Sequence, residues 1–230
     1  MEFTVFNDFR KRSGEPIPSS ELKKNLSQGL TTQLTNWGLN KYDGEYLWYS
    51  DFNEFGIKKV FKYIRLKGIS GVFAWGVCFD FIPTYSNTKQ LKNHKSNKST
   101  TLHLFEWPDG YKKSFEGGGR PTEIISHYSG ECENDIQTVI DNYKSKISTY
   151  FKETTSIEGA LEIVMNQIQK GGAYDIHFPH PKYVYSFLLA KSGRKEQGLE
   201  IMYESFKNYI EQDNSWKLLY EEIEKKIKSC

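Results

Sequence analysis

The chain has 230 residues, with 31 basic and 29 acidic side chains, a formal net charge of +2 and three cysteines. A chain of this length can bury enough apolar surface to fold without a disulfide or a structural metal. Its 37% hydrophobic content and well-mixed charges exclude a disordered polymer. The small net charge differs from the basic excess of a dedicated nucleic-acid-binding protein, so composition describes a globular protein and leaves its function open.

The N-terminal residues 1–14 contain no long apolar core and are not typical of a secretory signal. The most apolar stretch, residues 71–82, is interrupted by Asp80 and is too short to span a bilayer. The cysteines are odd in number and far apart, which favours reduced thiols. We therefore expect a cytoplasmic protein without a membrane span.

The first predicted element is a helix that starts near Ser19 or Ser20 and ends at Gly38. Leucines repeat every four residues from Leu22 to Leu34, so one face of this helix is apolar. After the turn at Asp43 and Gly44 the apolar period falls to two. Four segments with this period predict a small antiparallel sheet packed by the helix: residues 46–50, 58–68, 71–82 and 100–107.

The third predicted strand has two unlike faces. Bulky side chains share one face, namely Phe73, Trp75, Val77, Phe79 and Phe81. Small side chains and one acid share the other, namely Val72, Ala74, Gly76, Cys78 and Asp80. We expect the bulky face to meet the N-terminal helix. The small face either packs closely against a second helix or forms the floor of a shallow groove that ends at Asp80.

The connection before the fourth strand, residues 83–100, is basic. It carries Lys89, Lys92, Lys95 and Lys98 without an acidic residue, and we expect a mobile, solvated loop. An alternative is that this loop, with Trp107 and Tyr111 nearby, binds single-stranded nucleic acid by charge and stacking. A second loop, residues 108–121, contains three consecutive glycines followed by Arg120.

A helical period returns at Asn134 and continues to the end of the chain. It predicts five helices in antiparallel hairpins. Thr155 with Glu158 predicts a capping box at the second of them, and Pro181 suits the first position of the third. The fold class is therefore α+β, with an α+β domain over residues 1–118 and a helical domain or subdomain over residues 119–230.

Motifs that would indicate catalysis or a cofactor are weak. The glycine run before Arg120 lacks the spacing of the known phosphate-binding loops. His177 and His180 are three residues apart, but prolines break the helix that would aim both at one metal, and sequence fixes no third ligand. We predict no catalytic residue, no cofactor and no metal. If a metal did bind, these two histidines would be the candidate ligands.

Aromatic residues provide the main functional signal, because 21 of them precede Gly118 and crowd one small sheet. They favour a non-enzymatic module that binds a protein partner, with self-association as a further option. The predicted partner-binding residues are Trp48, Tyr49, Tyr63, Arg65, Trp75, Asp80, His103 and Trp107. The alternative is a nucleic-acid-binding protein or hydrolytic enzyme that uses the lysine-rich loop, Arg120, His177 and His180.

The order of these features resembles the bacterial family called domain of unknown function 4304. The resemblance comes from the amphipathic helix, Trp37 to Leu39, the strand YLWYS, the strand KVFKYIRLKG and the segment WGVCFDFIP. The segment LLAKSGRKEQGLEIM also looks like one tetratricopeptide-type hairpin. The family has no defined activity to transfer. Families of this build resemble immunity or accessory proteins, so the resemblance implies such a subunit of a bacterial conflict or defence system.

Overall fold

The computed structural model describes residues 14–230, so most of the segment considered above for a secretory signal lies outside the described residues. The described chain is an α+β fold with seven α-helices and one main antiparallel sheet. The helices are α1 Ser19–Asn36, α2 Asp109–Phe115, α3 Cys132–Glu153, α4 Ile157–Lys170, α5 Pro181–Lys191, α6 Lys195–Gln212 and α7 Asn214–Ser229. The strands are β1 Lys41–Tyr42, β2 Leu47–Tyr49, β3 Ile57–Arg65, β4 Ser70–Phe79, β5 Thr84–Tyr85, β6 Leu91–Lys92, β7 Leu104–Glu106 and β8 Ile125–Ser126.

The main sheet has the order β1-β2-β3-β4-β7, and β8 pairs with the beginning of β4. Its centre is the long β3–β4 hairpin, in which Phe61 lies opposite Trp75 and Lys62 opposite Ala74. The four predicted strands are confirmed as β2, β3, β4 and β7. The last is shorter than predicted, because only residues 104–106 pair with β4. Strands β5 and β6 form a separate hairpin within the basic connection.

The bulky face of the sheet is covered by α1 and α3. The leucines of α1 are fully buried in the same core as Phe61 and Trp75. On the α3 side, the ring of Trp75 lies 5.7 Å from that of Tyr143. Full burial of a leucine stabilises a fold by about 2 kcal/mol, so the period-four stripe is enough to fix α1 on the sheet.

The helical half has the five predicted helices, α3 to α7. Pro181 is the first residue of α5, as predicted, and His180 is its N-cap. The predicted capping box at α4 is displaced by one residue. Ser156 is the N-cap, with its hydroxyl accepting from the Gly159 amide at 3.1 Å. The Thr155 hydroxyl instead donates to the Lys152 carbonyl of the preceding helix at 2.8 Å.

One apolar core joins the sheet to the helices. It extends from α1 through α3 and α5 to Phe206 on α6 and Ile223 on α7. Gly118 lies in the exposed turn after α2, and the division of the chain there stays a prediction. Over residues 14–230, no helix has both the length and the apolar character needed to cross a membrane.

Candidate functional site

The second face of the sheet carries a groove of about 560 Å³, which we call the basic groove. One side comes from β3, another from the connection between β6 and β7, and the end from aromatic side chains of β7 and the segment before α5. The lining residues are Lys62, Ile64, Lys92, His94, Lys98, Ser99, Thr100, Thr101, Leu102, Phe105, Trp107 and Phe178.

The alternation of β3 and β4 produces this hollow. Lys62 and Ile64 point to the face opposite Phe61, and their partners across the hairpin are Ala74 and Val72. Because the β4 side chains on this face are small, they leave space that the connection covers only in part. Gly76 allows β7 to approach, since a Cβ at that position would lie 2.2 Å from the Leu104 carbonyl oxygen.

Lys58 holds the connection against the sheet. Its side chain is fully buried, and its ammonium donates to three backbone carbonyls: Ser96, Asn97 at 3.0 Å and Ser99. The same ammonium lies 4.1 Å from the centre of the Phe52 ring. Burial lowers the pKa of Lys58. The connection predicted to be a mobile, solvated loop is therefore attached to the sheet at several points.

His94 provides a second attachment, from the interior of the connection. One ring nitrogen is 2.8 Å from the Thr84 hydroxyl and the other 3.2 Å from the Thr101 hydroxyl. Burial lowers the pKa of His94 to about 4, so the imidazole is neutral at pH 7. Both nitrogens are occupied by hydroxyl groups, and His94 joins the β5–β6 hairpin to the segment that walls the groove.

The charge in the basic groove is of one sign. The exposed side chains of Lys62, Lys92 and Lys98 line it. Among residues 14–230, no aspartate or glutamate lines this groove. Opposite charge that would neutralise the lysines locally is therefore missing from the lining, and the groove suits a polyanionic ligand.

The lysines of the connection divide into two groups. Lys92 and Lys98 line the groove, and Lys95 is exposed on the same connection. Lys89 points elsewhere, because its ammonium bonds Asp213 and Ser215 and lies 4.7 Å from the Trp216 ring. That contact ties the β5–β6 hairpin to α7 and leaves Lys89 outside the groove.

Aromatic rings form the far end of the groove. Phe105 stacks on the His177 imidazole, with ring centroids 3.9 Å apart and planes 11° from parallel. Trp107 follows at 5.1 Å from Phe105. Phe178 projects to solvent with 54% of its surface exposed, and it packs edge-on against Tyr85. These rings can stack on planar ligand groups while the lysines bind anionic ones.

Four of the predicted partner-binding residues are buried in the core, namely Trp48, Tyr63, Trp75 and His103. Of the others, Arg65 is exposed, Trp107 lines the groove, and Tyr49 and Asp80 are half-buried. Trp48 and Trp75 lie on the helix-covered face, because both share the face of Phe61. The predicted residues are thus distributed over two faces of the sheet and do not form one surface.

His177, His180 and Arg120 do not combine with the basic groove into one site. His177 is buried against Phe105, whereas His180 accepts from the Lys182 amide at 3.2 Å and caps α5. Arg120 is exposed in the loop after α2 and lies outside the groove lining. In the part of the chain that the structure describes, no three His, Cys, Asp or Glu side chains are grouped to hold a metal ion.

Comparison of the chain with protein-family models, with curated proteins and with solved structures finds no match in any of the three. The resemblance to domain of unknown function 4304 therefore stays a prediction, and the geometry of the basic groove is the evidence on which a function can be argued.

Proposed function

We propose that this protein binds nucleic acid in the basic groove. The observation that supports this is the combination, in one lining, of three exposed lysines and the rings of Trp107 and Phe178, with no carboxylate from residues 14–230. Phosphates of a nucleic acid would meet the lysines, and its bases would meet the rings. Lys62 comes from the sheet and Lys98 from the connection, so two separate elements contribute charge to the same groove.

The rings favour a single strand over a duplex. Stacking of a base on an aromatic side chain is worth about 1–3 kcal/mol, and an unpaired strand has bases free to stack in this way. The bases of a duplex already stack on one another. For a single strand, each lysine–phosphate contact contributes about −0.7 to the slope of log affinity against log salt concentration. Three such contacts predict a slope of about −2.

The proposed role is binding without a reaction. Both nitrogens of the His94 imidazole, which lines the groove, are bonded to hydroxyl groups. The remaining titratable side chains of the lining are lysines, and these provide charge. The histidines of the hydrolytic alternative, His177 and His180, are engaged in a stack and a helix cap.

Fluorescence anisotropy with a labelled single strand of about 20 nucleotides tests the proposal. We expect Lys62→Glu/Lys98→Glu to lose at least about tenfold in affinity. The control is Lys24→Glu/Lys152→Glu, which makes the same charge change on exposed positions of α1 and α3. The proposal is wrong if the wild type does not bind at about 50 mM salt, or if the two double variants weaken binding equally.

A second candidate is the protein-interaction module predicted from the sequence, with a role as an immunity or accessory subunit. The observation in its favour is the set of exposed apolar side chains on the last two helices, Tyr203, Tyr209 and Leu218. Affinity capture from cells would compare the wild type with Tyr209→Ser/Leu218→Ser and with the control Phe55→Ser. An unchanged set of captured proteins in the first variant would contradict this role for the helices.

A further inference from the structure

The aromatic end of the basic groove continues past the groove onto α2. Trp107 lines the groove and also stacks on Phe115, with ring centroids 5.5 Å apart and planes 30° from parallel. Tyr111 closes this group edge-on, at 5.5 Å from Trp107 and 5.1 Å from Phe115. Trp107 therefore belongs to both the groove and the ring cluster on α2.

Phe115 is available to a ligand. It is 44% exposed, and α2 has no buried residue in its whole length. The ring is nevertheless held in place by its contacts with Trp107 and Tyr111. A fixed, exposed aromatic ring loses little conformational entropy when a planar group stacks on it, which is why such rings contribute strongly to binding surfaces.

The opposite end of the row is Phe178. Its exposed ring belongs to the same groove lining as Lys62, Lys92 and Lys98. Its neighbour His177 is stacked on Phe105. Phe178 and Phe115 are thus two exposed rings, one in the groove and one beyond it. The rings between them are in contact: His177 with Phe105, Phe105 with Trp107, and Trp107 with Phe115.

Cationic side chains are present at both ends. The three groove lysines share the groove lining with Phe178, and Lys113 is exposed on α2, two residues before Phe115 in sequence. Lys112 is not available in the same way, because its ammonium is 2.7 Å from the Glu106 carboxylate and is mostly buried. Glu116, which follows Phe115 and is exposed, has the opposite sign, so the positive charge that a phosphate backbone needs is concentrated at the groove end of the row.

We infer that the binding track for a single strand is longer than the basic groove and runs from Phe178 past Trp107 to Phe115. Phe178 and Phe115 are the base-stacking residues at its two ends. This inference rests on the proposed function, and it specifies the ligand as a run of several unpaired nucleotides. An acidic protein segment also matches the lysines, but its acidic side chains carry no aromatic ring, whereas every nucleotide of a single strand carries both a phosphate and a planar base.

The test is anisotropy with oligothymidylates of roughly 4 to 16 nucleotides, on the wild type, Phe115→Ala and Phe178→Ala. The matched control is Phe55→Ala, a phenylalanine of similar exposure, 41%, that lies outside the groove and the ring cluster. We expect each of the first two variants to lose about 5- to 100-fold in affinity for the longer strands, and Phe55→Ala to bind as the wild type. In Phe115→Ala, affinity should stop rising at a shorter strand length than in the wild type.

Tryptophan fluorescence is a second readout, and it leaves Phe115 and Phe178 at the ends of the track intact. Bases that stack along the track should quench the emission of Trp107, and Trp107→Phe should abolish the binding-induced part of the signal. The three substituted phenylalanines are exposed, so thermal unfolding checked by circular dichroism should be nearly unchanged.

The outcomes separate the two proposals. If the Lys62→Glu/Lys98→Glu variant loses binding but Phe115→Ala and Phe178→Ala behave like Phe55→Ala, the extended track is wrong. Nucleic-acid binding in the groove then stands, but through the lysines and Trp107 without Phe178. If no strand binds, the proposed function itself is wrong. If polyglutamate competes as well as an oligonucleotide of equal charge, binding depends on charge alone, and the assignment of the rings to bases is overturned.

Discussion

Phe105 and His177 lie face to face, with ring centroids 3.9 Å apart, and join β7 to the segment before α5. His177 is buried, and no group in the described part of the chain, residues 14–230, forms a hydrogen bond with its Nε2. A proton on this imidazole would place a charge in a site that offers it no compensation. Burial accordingly lowers the pKa of His177 to about 3. The contact that positions Phe178 in the groove thus depends on a neutral histidine.

Stability should therefore fall as the pH is lowered from 7 to 4. Burial lowers the pKa of His94 and of His127 to about 4, and that of His177 to about 3. Unfolded histidines titrate near 6.5, so between that pH and 4 the unfolded chain binds more protons than the folded one. At pH 5 each buried histidine should cost on the order of 1–2 kcal/mol of the free energy of unfolding. Urea unfolding at pH 7 and at pH 5 measures this.

The variant His177→Phe isolates one contribution to that pH dependence. A phenyl ring can stack on Phe105 but cannot take up a proton, so the loss of stability between pH 7 and pH 5 should be smaller than in the wild type by on the order of 1–2 kcal/mol. An identical pH dependence in the two proteins would show that His177 does not titrate in this range on unfolding.

Replacing Lys58 should release the wall of the groove. In Lys58→Met the carbonyls of Ser96, Asn97 and Ser99 lose their shared donor, and the free energy of unfolding should fall by about 2–4 kcal/mol. Trypsin should then cleave after Lys98 faster than in the wild type, because the connection is no longer attached to the sheet.

The control for that experiment is Lys59→Met. Lys59 is the next residue of β3, points to the other face and donates to the Trp37 carbonyl at 3.0 Å. The Lys59→Met variant should lose stability, but trypsin should cleave it after Lys98 no faster than it cleaves the wild type. Equal cleavage rates in the two variants would contradict the anchoring role of Lys58.

Gly76 should not tolerate a side chain. A Cβ there would lie 2.2 Å from the Leu104 carbonyl oxygen and 2.5 Å from the Phe105 Cβ, so Gly76→Ala must push β7 away from β4. We expect a loss of about 2–4 kcal/mol in thermal or urea unfolding, together with weaker oligonucleotide binding through Phe105 and Trp107. Gly44→Ala is the comparison. Gly44 has a positive φ, and a Cβ there would enter open space. Gly44→Ala should therefore lower the free energy of unfolding by only about 1 kcal/mol and leave oligonucleotide binding unchanged.

The secondary structure was largely predictable from periodicity, for identifiable reasons. The leucines of α1 repeat every four residues, and β4 alternates bulky and small side chains without interruption from Val72 to Phe79. Such patterns determine which face is buried whatever packs on it. The displaced cap of α4 shows the limit, because Thr155 and Ser156 are both good caps and the choice depends on where α3 ends.

The groove was only partly predictable. Alternation along β3 already places Lys62 on the face of the small β4 residues, so that half of the lining was accessible from the sequence. Phe178 was not, because it is 73 residues beyond Phe105 and is placed at the groove by tertiary contacts: the stack of His177 on Phe105 and its own contact with Tyr85. Trp48, Tyr63 and Trp75 are predicted to belong to a partner surface because sequence periodicity does not reveal that α3 joins α1 on their face of the sheet. His103 is buried for another reason, since its ring lies 5.0 Å from that of His94 in the connection.

Replacing Glu106 and Lys112 together should lower the free energy of unfolding by less than the sum of the two single replacements. Both side chains are largely buried, their charged atoms are 2.7 Å apart, and Tyr174 donates to the same carboxylate at 2.9 Å. Burial alone would lower the pKa of Lys112, but the Glu106 carboxylate raises it above the ordinary value. Lys112→Met leaves this carboxylate without its cation and should cost about 3–5 kcal/mol of the free energy of unfolding.

In Glu106→Leu/Lys112→Met both charges are gone, so the double variant should recover at least about 1 kcal/mol relative to the sum of the two single variants. Urea unfolding of the four proteins in this cycle measures the coupling. Because Glu106 precedes Trp107, the single variants should also shift the emission of that tryptophan, whereas the double variant should restore it. Additive losses, with no coupling between the two positions, would mean that the carboxylate and the ammonium do not stabilise each other. Unchanged Trp107 emission in both single variants would mean that the ion pair does not help to position that ring.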